Sequence, residues 1–454
     1  MRDIANTVPT CVTPGFNVLG HVSANTGLGQ AARNTLDLLH ARELPFVFAD
    51  IAMRTGLARQ TVPIAWPRAA SLRNLPYSVT VSHMNPGPLM DLLEWRSTLG
   101  LGLQATLNVA VPFWELPLMP QSFVREIEGF DVVLAASAFI REAVEASIGE
   151  QARPLVLDFR QAVRPPASLR PDRARWLGDR ADTVAFLATF DAASSYDRKN
   201  PWASIDAFRV AFPADPAVTL LLKVNNASAD DPAYDRASRW RSLQELAATD
   251  DRILLAAEYL TADEMWQLYA SVDAYVSLHH SEGLGLGPME AMAVGKPVVA
   301  TGWSGTMDFM TDANSFPIPY TLVPVPSDID HVQYRERLQG QVWANPDVSL
   351  ASQAMRVIAS GPTLRECVGA RAAETIARLY STYREGVVFD HLLRIAEAGG
   401  VGRLEHRRRV HRLYRAASVQ RGKHRAVAML RRAGLKPPAP ASELSGEPPV
   451  IFDA

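Results

Sequence analysis

Short β-rich runs alternate with segments of helical periodicity along most of the chain, and this alternation limits the possible folds more than any other feature. One helical stretch spans 30–40, where Ala32, Leu36 and Leu39 share a face. Strands that alternate with helices build parallel sheets, so the sequence predicts an α/β fold with two such series. The runs interpreted as strands are 16–22, 45–51, 77–83, 104–111, 131–137 and 154–159, then 183–190, 218–224, 252–260, 273–279 and 297–303.

The two series are separated by a proline- and arginine-rich stretch, which predicts a linker over 166–182. We therefore predict an N-terminal acceptor domain over 1–165 and a C-terminal domain over 183–385. A helical basic segment is predicted over 386–434, and a disordered proline-rich tail over 435–454. A chain of 454 residues can bury a substantial core without disulfides.

Composition excludes several other classes of protein. Hydrophobic residues make up 48% of the chain and charged residues 21%, which is typical of globular proteins and not of disordered or fibrous ones. The net charge of −2 predicts no nucleic-acid partner, and two distant cysteines are too few for a disulfide framework. The first residues contain no apolar signal region, and no apolar run reaches the roughly 18 residues of a membrane span. We therefore expect a cytoplasmic protein.

The strongest chemical signal lies between residues 279 and 305. Glu282 follows a predicted strand and precedes a loop that contains three glycines, Gly283, Gly285 and Gly287. Glycines let backbone amides approach a ligand, and a helix that starts at Pro288 adds positive potential that suits a diphosphate. A glycine-rich turn with a capping carboxylate is the structural alternative.

Glu290 lies in the first turn of the same helix, separated from Glu282 by seven residues in an E-x7-E spacing. Its carboxylate would face the same crevice, where two adjacent sugar hydroxyls could donate to it. The spacing alone is weak evidence, but the glycines, the proline and the following strand strengthen the functional interpretation.

This segment resembles the donor-binding signature of retaining glycosyltransferases of family four, E-G-F-G-L-x-x-x-E-A-M-A-x-G-x-P-V-V. The sequence matches it from Glu282 to Val299, with Leu284 where phenylalanine is common. The resemblance covers roughly 14–380 and implies the GT-B architecture, in which two Rossmann-like domains face each other across a cleft. It implies a nucleotide-sugar on the C-terminal domain, Glu282 as a catalytic residue, and donor contacts from Gly283, Gly285, Leu286, Gly287 and Glu290.

A second glycine-rich turn, HVSANTGLGQAARN, lies between the first strand and the first helix. Gly27 and Gly29 would let this loop close over the donor diphosphate or the acceptor, and a purely structural turn is the alternative. A glycine-rich loop occupies the same place in the resembled family, which favours the functional interpretation.

Two basic residues, Arg198 and Lys199, follow the first strand of the second series and are placed to reach a diphosphate at the strand end. The resembled family has an arginine and a lysine here, five residues apart. Lys199 matches the lysine, but Ser194 stands where the arginine is expected, which leaves open whether Arg198 replaces it. Lys223, at the end of the next strand, is a weaker candidate, with an exposed edge lysine as the alternative.

Three further strand ends carry candidate site residues. His83 resembles the histidine that contacts the reacting sugar in relatives, so we assign it a catalytic role, and Asn85 lies just beyond it. Glu115 has aromatic neighbours that suit a sugar, so Asn85 and Glu115 are the candidate acceptor-binding residues. Tyr259 and Leu260 lie where relatives hold the nucleobase through backbone contacts. A structural histidine and a capping carboxylate are the alternatives for His83 and Glu115.

The resulting hypothesis is a retaining hexosyltransferase that uses a nucleoside-diphosphate sugar as co-substrate and a glycan or lipid-linked acceptor, in polysaccharide or glycoconjugate synthesis. We expect no cofactor and no metal, since no Asp-x-Asp motif occurs between residues 60 and 160. A nucleotide-sugar epimerase on the same fold and a non-catalytic sugar-nucleotide-binding regulatory subunit are the alternatives.

Residues 401–434 hold 11 Lys/Arg and one acid, so this stretch carries +10 and the rest of the chain −12. Val410, Leu413, Tyr414 and Ala417 recur at helical spacing between the basic residues. A basic amphipathic helix is typical of a membrane surface, so we predict peripheral contact of 403–432 with anionic lipid at the inner face of the membrane. A helix packed on the acidic remainder of the protein is the alternative.

Overall fold

The computed structural model describes residues 13–51, 65–70, 75–85, 107–148, 154–228, 234–330, 335 and 339–398. The strands are β1 Thr13–Gly20, β2 Phe46–Asp50, β3 Tyr77–His83, β4 Leu107–Ala110, β5 Val132–Ala135, β6 Leu155–Asp158, β7 Val184–Asp191, β8 Val218–Asn225, β9 Ile253–Ala256, β10 Ala274–Ser277, β11 Val298–Thr301, β12 Phe316–Ile318, β13 Tyr320–Pro324 and β14 Val342–Pro346.

The described helices are α1 Gly27–Ala41, α2 Gln121–Ile127, α3 Ala138–Ser147, α4 Arg173–Leu177, α5 Tyr196–Lys199, α6 Pro201–Ala211, α7 Tyr234–Ala248, α8 Ala262–Ser271, α9 Leu286–Ala293, α10 Val348–Ser360, α11 Pro362–Glu385 and α12 Val387–Glu397. None of these helices is both long and apolar enough to cross a bilayer. Residues 399–454, which include most of the predicted basic segment and the predicted proline-rich tail, lie outside the described ranges.

Strands β1 to β12 form two parallel six-stranded sheets, and β13 and β14 form a separate antiparallel hairpin. The first has the order β2-β1-β3-β4-β5-β6 and the second β12-β11-β10-β7-β8-β9. Val18 on β1 pairs with Phe48 and Val81, and Leu220 on β8 pairs with Phe186 and Ile253. These strands read as continuous apolar runs because both faces of a parallel sheet are covered. The predicted α/β fold with two Rossmann-like halves is confirmed.

The carboxyl ends of parallel strands meet at one edge of each sheet, and this is where ligands bind in such folds. Here the loops after β1, β3 and β4 belong to the N-terminal half, and the loops after β7, β9 and β10 belong to the C-terminal half. Every predicted site residue lies at a strand end or in one of the loops and helix starts that follow.

The stretch predicted as a linker contains a short ordered helix, α4. Arg173 donates hydrogen bonds to the carbonyl oxygens of Thr183 at 2.6 Å and Ser271 at 2.9 Å, and it pairs with Asp273 at 3.0 Å. Trp176 is buried. This part of the chain is therefore anchored to the C-terminal half.

The last described helix, α12, packs on the N-terminal half. The Phe389 ring lies 5.1 Å from Phe16 and 5.5 Å from Phe159, both in the N-terminal core. Arg42 donates to the Gly386 carbonyl oxygen at 2.7 Å and pairs with Asp390 at 2.9 Å. The chain thus returns to its first half after completing the second.

Candidate active site

The glycine-rich loop joins β10 to α9 at the carboxyl edge of the second sheet. Gly285 has a φ of +85°, a left-handed conformation that favours glycine, and a side chain there would meet a threonine methyl at 2.5 Å. A Cβ on Gly287 would overlap the Tyr275 hydroxyl oxygen. Because Gly285 already makes the turn, the helix begins at Leu286, two residues before the predicted start at Pro288. The local geometry requires both glycines.

Glu282 lies in a cluster of four charged side chains, Glu115, Arg198, Lys199 and Glu282, which we call the charge cluster. Lys199 Nζ donates to Glu282 Oε1, and Arg198 Nη1 lies 3.2 Å from Glu282 Oε2. Arg198 Nη2 lies 3.7 Å from the Glu115 carboxylate. Burial would raise the pKa of Glu282, but Lys199 and then Arg198 lower it to about 2. Glu282 is therefore ionised at neutral pH, and the cluster is formally neutral.

Arg198 is buried, with only 2% of its surface exposed. Its Nη1 donates to the Ser281 carbonyl oxygen and its Nη2 to Ser194 Oγ, both at 2.8 Å. The guanidinium thus lies beside Ser194, the position where an arginine was expected from the sequence. Its charge reaches that place from another residue of the same turn.

Glu290 lies beside Tyr269 and Arg33 in the second turn of α9, and not in the first turn as predicted, because the helix begins two residues earlier. Burial raises the pKa of Glu290 to about 7, and the hydrogen bond with Tyr269 and the charge of Arg33 oppose this shift. Arg33 comes from α1 in the other half and was not predicted as a site residue. Its only signal in the sequence is a basic residue on a helix that follows a glycine-rich loop.

The N-terminal glycine loop is held rigidly. A Cβ on Gly29 would overlap the Ala24 carbonyl oxygen and lie 2.8 Å from the His21 carbonyl oxygen. Arg33 Nη1 donates to the carbonyl oxygens of Val22 at 2.7 Å and Ala24 at 3.0 Å. These contacts fix the loop that precedes α1.

Gly27 differs from Gly29, because the nearest neighbour of a Cβ there would be Leu286 Cδ1 at 4.0 Å. Gly27 is the first residue of α1 and Leu286 the first of α9. The starts of two helices therefore lie close together across the cleft between the halves.

His83 ends β3 and is fully buried. Within the described ranges, neither ring nitrogen has a hydrogen-bond partner. Burial lowers the pKa of His83 to about 3, so the ring is neutral at physiological pH. Asn85 Oδ1 accepts a hydrogen bond from the Phe113 backbone N–H at 2.8 Å and links two neighbouring loops of the N-terminal half.

The two halves meet directly at the loop that carries Glu282. A Cβ on Gly283 would lie 2.9 Å from the Trp114 carbonyl oxygen, and Ser137 Oγ donates to the Gly283 carbonyl oxygen at 2.5 Å. Ser281 Oγ donates to the Glu115 carbonyl oxygen. These contacts hold the backbone around Glu115 against the loop of Glu282. The acceptor-binding role of Glu115 stays a prediction.

Tyr259 and Leu260 follow β9 with opposite exposures. Tyr259 is 42% exposed, whereas Leu260 is buried. Burial raises the pKa of the Tyr259 hydroxyl, and the nearby charge of Arg33, from the other half, lowers it. Lys223 is fully buried and donates to Asn225 Oδ1 at 2.7 Å, so it is no exposed edge lysine.

No group of three or more His, Cys, Asp or Glu side chains in the described part of the chain is arranged to hold a metal ion. Metal independence stays a prediction. The residues that the structure brings together are the charge cluster around Glu282, the group of Glu290, Arg33 and Tyr259, and the pair of Gly27 and Leu286.

Residues 254–330 match the model of the family described as glycosyl transferases group 1. The matched segment runs from β9 to Asp330, and it contains Glu282, the glycine-rich loop and Glu290. No curated protein matches the chain.

Among solved structures, the fold is similar to a UDP-forming α,α-trehalose-phosphate synthase from Burkholderia xenovorans, with a TM-score of 0.58 and 13% identity over 86% of this chain and 100% of that one. It is also similar to Anabaena Alr3699/HepE, solved in complex with UDP and glucose, with a TM-score of 0.56 and 16% identity over 83% and 98% of the two chains.

The chain spans 57% of the length of the pneumococcal O-GlcNAc transferase GtfA, with a TM-score of 0.47 and 13% identity over 69% of this chain. At such identities the similarity of the two longer matches establishes the fold alone, which is GT-B. The GT-B fold and the matched segment together support a glycosyltransferase.

Proposed function

We propose that this chain is a retaining glycosyltransferase that moves a hexose from a nucleoside-diphosphate sugar to a glycan or lipid-linked acceptor. The observation that carries the proposal is the charge cluster. Lys199 and Glu282 lie 83 residues apart in sequence, yet their side chains meet at the carboxyl edge of the second sheet, beside the start of α9. A cation, a helix start and two carboxylates at this edge match the chemistry of a sugar bound through a diphosphate.

Lys199 is the cation assigned to the leaving diphosphate. Its side chain is 20% exposed, whereas that of Arg198 is 3% exposed. A cation aimed at charge that develops as the glycosidic bond breaks lowers the barrier of the transfer. Arg198 instead binds the Ser281 carbonyl oxygen and the Glu282 carboxylate. It therefore holds the glycine-rich loop in place.

Glu282 changes partner in this proposal. Its carboxylate is bound to Lys199 in the structure, and the diphosphate of the donor takes its place there. The released carboxylate then accepts hydrogen bonds from hydroxyls of the sugar. Neutral His83 provides an uncharged donor or acceptor to the same sugar from the other half, and the leaving phosphate takes the proton of the attacking acceptor hydroxyl.

The first test is the stereochemistry of the product. We expect the purified protein to transfer the sugar with its anomeric configuration retained. The acceptor hydroxyl gives its proton to the leaving phosphate, so it attacks the sugar from the same face that the phosphate leaves. UDP-hexoses are the first donors to try, followed by GDP-hexoses, with NMR of the anomeric proton as the measurement. A product with inverted anomeric configuration contradicts the mechanism. A donor whose sugar is epimerised but not transferred favours the alternative function, a nucleotide-sugar epimerase.

Donor affinity should depend on pH through Glu290. Its pKa of about 7 means that it loses its negative charge as the pH falls below 7. Ribose hydroxyls donate to the ionised carboxylate, so the dissociation constant of the donor should rise between pH 8 and pH 6, by at most about tenfold per pH unit below the pKa. Calorimetric titration at a series of pH values measures this, and Glu290→Gln should flatten the profile. An equal slope in both proteins excludes Glu290 as its source.

The proposal extends to the surroundings of the enzyme. Contact of 403–432 with an anionic membrane, a cytoplasmic location and a role in polysaccharide synthesis stay predictions from the sequence, and 403–432 lies outside the described residues. Absence of cofactor and of metal likewise stay predictions.

A further inference from the structure

The hairpin formed by β13 and β14 belongs to neither six-stranded sheet. Its two strands are antiparallel, and the chain between them, from 325 to 341, includes Asp330 and Gln341. Nothing in the sequence predicted this hairpin or gave it a role. Its described residues contact three separate segments that carry members of the charge cluster.

The first contact joins Asp330 to the turn before Lys199. The Asp330 side chain is fully buried. One carboxylate oxygen accepts from Ser195 Oγ, and the other accepts from the Tyr196 backbone N–H at 2.6 Å. In return, the Asp330 backbone N–H donates to Asp197 Oδ2 at 3.0 Å. Three consecutive residues at the start of α5 are thus bonded to Asp330.

The same bonds continue to the charge cluster. Ser195 Oγ, which donates to Asp330, accepts from the Arg198 backbone N–H at 3.1 Å. Arg198 and Lys199 are the last two residues of α5, a helix of four residues. So short a helix has little stability of its own, because forming its first turn is unfavourable without support from tertiary contacts. Its geometry therefore depends on the groups that hold its first residues.

Two further contacts attach the hairpin to the other loops of the cluster. The His280 ring stacks on Trp343 at 4.4 Å, and the Ala344 backbone N–H donates to the His280 carbonyl oxygen at 3.0 Å, two residues before Glu282. Gln341 exchanges hydrogen bonds with the backbone of Leu118, three residues after Glu115. The hairpin thus supports segments from both halves.

A charge-pairing role for Asp330 is the competing explanation. Arg239 Nε lies 4.0 Å from Asp330, but Arg239 pairs much more closely with Asp197, at 2.6 Å. The bonds to Ser195 and Tyr196 use both carboxylate oxygens. The main partners of Asp330 are therefore the groups that build the turn.

We propose that Asp330 is a positioning residue for the diphosphate of the donor, since it fixes the turn that presents Arg198 and Lys199. This inference rests on the proposed function. Asp330 itself touches no substrate, and it acts through Ser195 and Tyr196.

The test uses the full chain and calorimetric binding of three probes: inorganic diphosphate, UDP and GDP. Asp330→Asn keeps the size of the side chain, but its amide N–H₂ cannot accept a second hydrogen bond. We expect about tenfold weaker binding of the probe that the unchanged protein binds best, as for the loss of one hydrogen bond to a charged group. Asp328→Asn, an exposed acid in the same segment, is the matched control and should change binding less than about twofold.

Steady-state kinetics separate positioning from simple damage to the fold. Asp330→Asn should raise the donor KM about tenfold, and kcat at saturating donor should fall only as far as Lys199 is displaced. A loss of folded protein would lower kcat at constant KM. Ser195→Ala removes one of the two bonds from the other side, and the double variant should lose less than the sum of the two single effects, because both changes act on one hydrogen-bonded unit.

The outcomes distinguish the two proposals. If the unchanged protein binds none of the three probes, the proposed function fails and this inference fails with it. If it binds a probe and both Asp330→Asn and Ser195→Ala bind equally well, Asp330 is not a positioning residue and the proposed function stands. If Asp330→Asn does not fold, Ser195→Ala, which keeps the bond from Tyr196, decides alone.

Discussion

Replacing Lys199 with alanine is expected to weaken binding of the nucleoside-diphosphate sugar by roughly 10- to 100-fold, the value of one or more hydrogen bonds to a charged group. Lys199 is the more exposed of the two cations in the charge cluster and the one assigned to the diphosphate. Without Lys199, the Glu282 carboxylate has one cationic partner fewer. Its negative charge then repels the phosphates of the donor. Calorimetry with UDP or GDP and the donor KM measure the effect.

Glu282→Gln is the matching variant, and its effect should be of the opposite kind. Without the carboxylate, Lys199 is free to meet the diphosphate, so UDP or GDP should bind at least as tightly as before. Turnover should fall about 100-fold, because the contact to the reacting sugar is lost. Equal losses of binding in both variants would contradict the exchange of partners proposed for Glu282, and normal kinetics in both folded variants would refute the site.

Alanine at Gly29 is expected to cost about 1–3 kcal/mol of unfolding free energy, the typical range for overpacking in a tight site. A Cβ there overlaps a backbone oxygen of the loop at Ala24, which cannot rotate away as a side chain does. The shift would also displace the carbonyl groups that Arg33 holds, so donor affinity should fall with stability. Urea denaturation and the donor KM are the two measurements.

Gly27→Ala is the control in the same loop. Its Cβ would meet its nearest neighbour at 4.0 Å, an ordinary contact, and alanine suits the first turn of a helix. We expect a change within about 0.5 kcal/mol. If both variants lose the same stability, the distinction between the two glycines is wrong.

The sequence predicts this fold well because each buried parallel strand is a local apolar run bounded by turn residues. The runs at 77–83 and 218–224, for example, coincide with β3 and β8 to within one residue. β13 could not be predicted in this way, since Tyr320 and Leu322 are exposed and the strand belongs to a separate hairpin. Helix α12 lies within the helical segment predicted over 386–434, but its packing on the N-terminal half could not be predicted, because its apolar face is covered by residues far away in the sequence.

The residues of the candidate site also fall into two groups, those that local sequence patterns predict and those that depend on distant contacts. The glycines and Glu290 follow from local spacing, since their roles depend on one turn and one helix start. Arg33 and Asp330 depend on contacts with distant segments, which a single sequence does not reveal. Arg198 is an intermediate case, because its position on the turn was visible, but its burial beside Ser194 was not.

The return of α12 to the first sheet means that the N-terminal half is not one continuous piece of chain. A boundary at residue 385 separates Phe389 from Phe16 and Phe159, the rings that it covers. A chimera that exchanges the C-terminal half of this protein for that of another GT-B protein therefore needs two crossovers, one before β7 and one near Gly386. Arg42 and Asp390 would then have to come from the same parent protein, because they form one ion pair between α12 and the N-terminal half.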